Sequence, residues 1–322
     1  MHARRAGFTL IDLAALTLAA GALLTAGPAL MHAAGQPEPA KQPDAAPTPA
    51  PDPKEDSARL RARMMTSAMN LRQIGQGMIL WAQGHADQYP LPSEVDVSNF
   101  TVQDAKASKD TTANIMSILV FAGYIKPDVL ISPAESNPNI EACKTYVMKA
   151  PPTAVSPAKA LWDPALNADF TGAKKGNVSY AHLCPFGARL ARWTNTFSAD
   201  EPVLADRGPE IKSVKYNEDN SAVTVELATP ASNTLKYSKE PGTWSGHLFY
   251  NDAHVDFKDS TLGHKKSITA KDLARKVKFA EDRTHPDLWF YDEPDDQPAA
   301  NDYIGIFTAS GRQRGDFKAI WD

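Results

Sequence analysis

The sequence contains few of the residues and motifs that mark a familiar catalytic or metal-binding protein. It has only two cysteines, Cys143 and Cys184, with no Cys-x-x-Cys pair and no Cys/His cluster, which excludes a thioredoxin-like motif and a structural zinc site. His-Glu-x-x-His, Gly-x-Ser-x-Gly, the phosphate-binding loop and the dinucleotide-binding fingerprint are also absent. Sequence motifs therefore give no support to an enzymatic function.

Positive charge is also scarce. Lys and Arg number 34 against 38 Asp and Glu, giving a net charge of -4. Domains that bind nucleic acid normally carry a basic excess, so the sequence predicts no nucleic-acid partner. A local basic patch comprises Arg59, Arg61, Arg63 and Arg72. At helical spacing such a patch is usually a solvated face, and the alternative is contact with lipid head groups.

The two cysteines lie 41 positions apart. In an extracytoplasmic compartment Cys143 and Cys184 can form one disulfide, which would contribute about 3 to 4 kcal/mol by closing a loop of that length. The sequence leaves this pairing open.

The amino-terminal region is a long apolar segment preceded by Arg4 and Arg5. No charged residue occurs from Leu13 to Met31, a run of 19 residues that is close to the roughly 20 needed to cross a bilayer. The basic residues at its start predict a membrane helix over residues 8–34, with the amino terminus in the cytoplasm and the remaining chain outside. A cleaved signal peptide and an uncleaved anchor both fit this pattern.

A third interpretation rests on Asp12, because a carboxylate inside an apolar segment is costly and is usually functional. Gly7-Phe8-Thr9-Leu10-Ile11-Asp12 resembles the processing site of type IV pilins and type II secretion pseudopilins, normally Gly-Phe-Thr-Leu-Ile-Glu. The resemblance implies that a prepilin peptidase removes residues 1–7 by cutting after Gly7 and methylates Phe8. It also implies that Asp12 neutralises a terminal amine during assembly, although its side chain is one methylene shorter than glutamate.

Residues 35–54 contain seven prolines and no large apolar residue, which predicts an extended linker. This linker departs from the pilin pattern, in which the membrane helix usually continues into the globular domain. The sequence then predicts a globular domain over residues 55–265 and a carboxy-terminal extension over residues 266–322.

A helix is predicted to begin at Asp56 or Ser57, because apolar residues recur at steps of three and four up to Ala82. Met65, Ile74, Ile79 and Trp81 are expected to widen the apolar stripe that packs on the domain. Gly75 and Gly77 each cost about 1 kcal/mol in a helix interior, so this helix needs tertiary packing such as close approach to a sheet. The segment Asn70–Gly75 resembles the Asn-Leu-Arg-Gln-Ile-Gly helix of a bacterial pseudopilin-related family.

That family ends its core with a hairpin containing Asp-Gly-His-Val, and residues 248–257 are similar to it. A two-residue turn at Asp252-Ala253 would oppose Phe249 to Asp256. The hairpin would then have one mainly apolar face and one mainly polar face. Such turns favour glycine, so alanine implies strain or a longer loop. The histidine that the family places before this turn is absent, since the corresponding positions hold Gly242 or Glu240.

Further elements predict an α+β fold with a mainly antiparallel sheet packed on one helix. A short helix is expected over residues 113–122, and strands over 177–182, 202–207, 211–216 and 222–227. A capping-box pattern at Thr269–Asp272 predicts a basic helix that continues to Phe279. The tail that follows is acidic, with Asp292, Glu293, Asp295 and Asp296. It is predicted to be a solvated loop, and a calcium site is the alternative, although the EF-hand pattern is lacking.

Histidines and aspartates of the kinds found in metal hydrolases also occur, and the predicted hairpin places His247 and His254 on one face. The full set comprises His182, His247, His254, His264 and His285 with Asp206, Asp252 and Asp256. Surface or turn histidines are the commoner explanation, so no cofactor or resident metal is predicted. We therefore expect a non-enzymatic, membrane-anchored, pseudopilin-like subunit of a secretion or pilus-type assembly. The alternatives are an anchored binding or scaffold module and a divergent metal-dependent enzyme.

Overall fold

A long helix opens the folded part of the chain. The computed structural model describes residues 53–216, 222–230, 232–235, 237–238, 243–263, 267–269, 276–278, 284–286, 288–294 and 298–322. Its α-helices are α1 (Pro53–Gln83), α2 (Pro92–Val95) and α3 (Thr112–Phe121). The apolar periodicity predicted α1 and α3, and both helices are confirmed.

None of the helices within these ranges has the length and apolar character needed to cross a bilayer. The predicted membrane helix over residues 8–34 lies outside the described residues, as do Gly7, Phe8 and Asp12.

The strands are mostly antiparallel, as expected from the alternating sequence pattern. In chain order they are β1 (Tyr180–Leu183), β2 (Pro202–Asp206), β3 (Ile211–Tyr216), β4 (Ala222–Leu227), β5 (Thr243–Tyr250), β6 (Val255–Gly263), β7 (Ser267–Thr269), β8 (Lys276–Lys278), β9 (Thr284–Pro286), β10 (Ile304–Gly305), β11 (Phe307–Ala309) and β12 (Lys318–Ala319). The central sheet has the order β10-β1-β2-β5-β6, and a smaller sheet has the order β3-β4-β7. The α+β architecture is therefore confirmed.

Helix α1 lies on the central sheet and contacts β2 and β5. Its inner face is formed by Leu71, Ile74, Met78 and Ala82, which are completely buried. A Cβ atom on Gly75 would come within 2.2 Å of the Phe249 ring on β5. The helix can approach the sheet this closely only because Gly75 has no side chain, so the cost of a glycine in a helix interior is offset by packing.

The hairpin formed by β5 and β6 is confirmed, but its predicted register is wrong by one residue. Phe249 pairs with Val255 and Leu248 pairs with Asp256, whereas a two-residue turn required Phe249 to oppose Asp256. Because successive side chains alternate between faces, this shift moves residues of β6 to the opposite face of the sheet. All residues of β5 are buried, so the sheet is covered on both faces at this strand.

The register differs because the loop is longer than a two-residue turn. The backbone N–H of Tyr250 donates to the carbonyl of His254 at 3.1 Å, which leaves a three-residue loop, Asn251–Ala253. Ala253 adopts a φ of 68°, in the left-handed region. Three-residue hairpin loops commonly place a residue in that region, so the alanine is accommodated by both a longer loop and local strain.

The carboxy-terminal segment is part of the same folded unit. β10 pairs with β1 and forms an edge of the central sheet. The basic helix expected up to Phe279 is wrong at Lys276–Lys278, which forms β8 and pairs with β9. The expected solvated loop is also wrong at Glu293, which is buried. The preceding Trp289 and Phe290 are buried against Trp244. Aromatic burial outweighs the acidic composition of this segment.

Candidate functional site

A buried polar cluster joins α1 to the central sheet. Asp206, the last residue of β2, accepts a 2.8 Å hydrogen bond from the Ser67 hydroxyl through Oδ1. Its Oδ2 accepts from both the backbone N–H and the Nδ1–H of His247 on β5, each at 2.8 Å. These bonds connect the helix to two neighbouring strands through one carboxylate. A buried carboxylate requires such donors, because burial without partners costs several kcal/mol.

The order of these contacts argues against nucleophilic catalysis. In a Ser-His-Asp triad the imidazole lies between the hydroxyl and the carboxylate, so that it can accept the hydroxyl proton. Here Asp206 lies between Ser67 and His247 and binds both donors. The arrangement therefore positions the elements relative to one another rather than activating a serine.

Two tyrosines extend the cluster. The hydroxyl groups of Ser67 and Tyr180 lie 3.2 Å apart, and those of Ser132 and Tyr237 lie 3.5 Å apart. Burial, reinforced by the charge of Asp206, raises the pKa of Tyr237 to about 12 and also raises the pKa of Tyr180. Both phenols therefore remain protonated near neutral pH. The adjoining pocket, lined by Asp206 and Tyr237 among others, offers only ≈ 20 Å³, enough for about one water molecule.

The histidines predicted from sequence do not converge on one site. His182 is completely buried on β1, where Nδ1 donates to the carbonyl of Leu183 and Nε2 accepts from the Thr112 hydroxyl, both at 2.8 Å. Burial lowers the pKa of His182 to about 4, so the ring is neutral. Both ring nitrogens have partners, and His182 connects β1 to the start of α3.

The observed hairpin register separates His247 from His254. His247 pairs with Phe257 across the strands, whereas the ring of His254 stacks on Tyr250 at 4.3 Å. Residues 247 and 250 of β5 face opposite sides, so the expected shared face for the two histidines is wrong. His264 lies outside the described residues. Across the described ranges, no group of three or more His, Cys, Asp or Glu residues is arranged to hold a metal ion.

The acidic tail is partly bound by arginines. Asp292 accepts from Arg189 at 3.0 Å and from two nitrogens of Arg314 at 2.7 and 2.8 Å. Glu293 is buried. Asp295 and Asp296, the other two candidate calcium ligands, lie outside the described residues, so the calcium site remains a prediction.

Both cysteines are free thiols in the structure. Cys184 is 1% exposed, whereas Cys143 is partly exposed. Burial raises the pKa of the Cys184 thiol to about 12, so the reactive thiolate is scarce at neutral pH.

Alkylation should therefore distinguish the two thiols. In the folded protein at about pH 8, iodoacetamide is expected to modify Cys143 and to leave Cys184 largely unmodified, because only the thiolate reacts. Mass spectrometry of the two cysteine-containing peptides measures this directly, and denatured protein, in which both thiols should react, is the control. Equal modification of both residues in folded protein would contradict the buried placement of Cys184.

A second, larger cavity lies beside α2. It measures ≈ 500 Å³, and its lining includes the cationic residues Lys106, Lys109 and Arg312. Lys109 is 1% exposed, and its ammonium donates to Asp96 Oδ2 at 3.1 Å and to Asn99 Oδ1 at 2.6 Å. This internal pairing neutralises Lys109, so Lys106 and Arg312 are the exposed cations of the cavity.

Several buried polar residues carry no signal in the sequence. Ser67 is a partial exception, because it precedes Leu71 by one helical turn and so interrupts an apolar stripe with a small polar side chain. The buried Arg192, which donates through Nε to Glu201 at 2.6 Å, resembles any other arginine in the sequence. Its partner can be identified only from the folded structure.

Comparison with protein-family models, curated proteins and solved structures finds no match to this chain.

Proposed function

We propose that this protein is a membrane-anchored, pseudopilin-like structural subunit of a secretion or pilus-type envelope assembly. The observation that carries the proposal is the placement of α1, a 31-residue helix that opens the folded domain and lies on an antiparallel sheet. Its contact with the sheet at Gly75 belongs to Asn70–Gly75, the segment that resembles the pseudopilin-related helix. A prepilin peptidase and other pseudopilin-like subunits are the proposed partners.

The amino-terminal motif supports the same proposal. Gly7 and Phe8 supply a processing site, and the apolar run that ends near Met31 supplies a membrane anchor. The globular domain then works outside the cytoplasm, connected to the membrane by the proline-rich linker.

Processing and assembly can be tested on protein extracted from its native membrane. We expect the intact mass and amino-terminal sequence to show a methylated start at Phe8. Chemical cross-linking should give a ladder of oligomers that disappears in Asp12→Ala, because the terminal amine then loses its partner carboxylate in the bilayer.

Asp12→Glu is the matched control, since it keeps the charge and should retain the ladder. An intact Met1, or a start near Gly35, would contradict processing at the prepilin-type site.

A second candidate function is an anchored binding module that does not polymerise. The ≈ 500 Å³ cavity beside α2 favours it, because ligand pockets commonly occupy roughly 300 to 1,000 Å³. Monomers in both the wild-type protein and Asp12→Ala would favour this function over assembly.

A further inference from the structure

The first turns of α1 contribute little to the core of the domain. None of the ten residues from Ser57 to Thr66 is buried, and Ser67 is the first fully buried residue of the helix. By itself, a ten-residue helix is only marginally stable in water. A surface that covers these turns would stabilise them.

An apolar stripe runs along the outer face of the same turns. Ala58, Ala62, Met65 and Met69 follow one another at steps of four, three and four, which places them on one side of the helix. All four are solvent-accessible, and Met65 and Met69 are 69% and 56% exposed. Two neighbouring methionines at this exposure form a small apolar surface about 180° from the face that packs on the sheet.

Arginines flank this stripe on both sides. With about 100° between successive residues, Arg59 and Arg61 project roughly 70 to 90° to either side of the stripe. Both are exposed, as are Arg63 and Arg72. Long arginine side chains can cover apolar surface with their stems while their charged ends reach an anionic layer. This combination is typical of helices that lie in a membrane interface.

Charge identifies the occupant of this surface. Helix α1 contains Lys54 and four arginines against two acidic residues, Glu55 and Asp56, a net charge of +3. A second copy packed side by side in the same orientation would bring like charges together, whereas an anionic lipid surface complements them. The chain also reaches α1 from the apolar segment that ends near Met31, so lipid is the nearest anionic surface if that segment is an anchor.

We propose that Ser57–Met69 of α1 docks on an anionic lipid surface, with Met65 and Met69 in the interface and the flanking arginines among the head groups. This segment is about 18 Å long, from its twelve steps of 1.5 Å. The inference rests on the proposed membrane anchoring, and it orients the folded domain with the start of α1 against the bilayer.

Hydrogen exchange on the full-length protein tests this docking. The chain is reconstituted into nanodiscs of phosphatidylcholine alone or with about 30% phosphatidylglycerol. Amides of residues 57–69 should exchange at least about fivefold more slowly on the anionic discs, since each arginine near such a surface contributes roughly that factor. Amides of α3, which the domain itself protects, should be unchanged.

Two variants separate the apolar and charged contributions. Met65→Ser/Met69→Ser and Arg59→Gln/Arg61→Gln should each abolish the difference between the two lipids. Met148→Ser and Lys149→Gln are matched controls, because they change an exposed methionine and an exposed cation elsewhere on the domain and should retain the difference. Equal exchange on both lipids in the wild-type protein would overturn the proposal.

Other results identify a different cause. Slow exchange that depends on the number of chains per disc would show that a second copy covers the stripe, which also overturns lipid docking.

Washing the discs with alkaline carbonate tests the anchor separately. A chain that is washed off contradicts anchoring, whereas slow exchange on anionic discs before the wash still supports docking.

Discussion

Gly75→Ala should lower the free energy of unfolding by about 2 kcal/mol or more, although alanine is the better helix former by about 1 kcal/mol. The added methyl carbon would lie 2.2 to 2.4 Å from three ring atoms of Phe249. Phe249 is completely buried, so its ring cannot move aside into solvent. The helix and the sheet must separate locally, and the surrounding core loses contacts.

Urea unfolding of the full-length protein, monitored by circular dichroism, measures this effect. Gly77→Ala is the matched control, because it changes the same helix, and its nearest neighbour is a side-chain carbon of Ile125 at 3.1 Å. We expect that variant to remain within about 1 kcal/mol of the wild-type protein. Adding Phe249→Leu to Gly75→Ala should recover part of the loss by giving the methyl group space. Equal stability of Gly75→Ala and Gly77→Ala would contradict the close contact between α1 and β5.

Asp206→Ala should cost about 3 to 5 kcal/mol of folding stability, the largest effect expected for a single side chain here. The carboxylate accepts three hydrogen bonds, from the Ser67 hydroxyl and from two N–H groups of His247. Its removal leaves those donors buried without their acceptor and removes the connection between α1 and two strands. Thermal or urea unfolding compares the variant with the wild-type protein.

Asp256→Ala on the neighbouring β6 is the control for this change. The Asp256 carboxylate is 48% exposed and pairs with Lys258, so its loss should cost less than about 1 kcal/mol. Combining Asp206→Ala with Ser67→Ala should cost less than the sum of the two single changes, because both remove the same hydrogen bond. Additive losses would show that Ser67 and Asp206 are not energetically coupled.

The sequence predicted α1, α3 and the strands β1 to β6 because local structure depends on periodicity and turn composition. Alternating apolar and polar residues, with a polar turn between the two segments, predicted β3 at residues 211–216 and β4 at residues 222–227, as observed. The step of three and four residues identified the inner face of α1, where Leu71, Ile74 and Met78 are buried. Met65 was expected to widen this apolar stripe, but it is 69% exposed and lies on the opposite face with Met69.

The sequence was misleading where a distant contact outweighed the local pattern. The charged run that predicted a helix includes Lys276–Lys278, which instead pairs with β9. In the hairpin, the sequence was compatible with a turn of two or three residues. The structure has a three-residue loop with Ala253 in the left-handed conformation. A change of one residue there reversed which side chains of the two strands share a face.

The candidate site could be identified only from the tertiary structure, because its residues come from separate parts of the chain. Ser67, Asp206 and His247 are more than 40 positions apart from one another, and no local pattern connects them. By itself the sequence determined α1, α3, the first six strands and the inner face of α1. Only the tertiary structure decided the hairpin register, the partners of Asp206 and the place of β10 in the sheet. Those features depend on long-range packing, and periodicity specifies which face is buried but not what covers it.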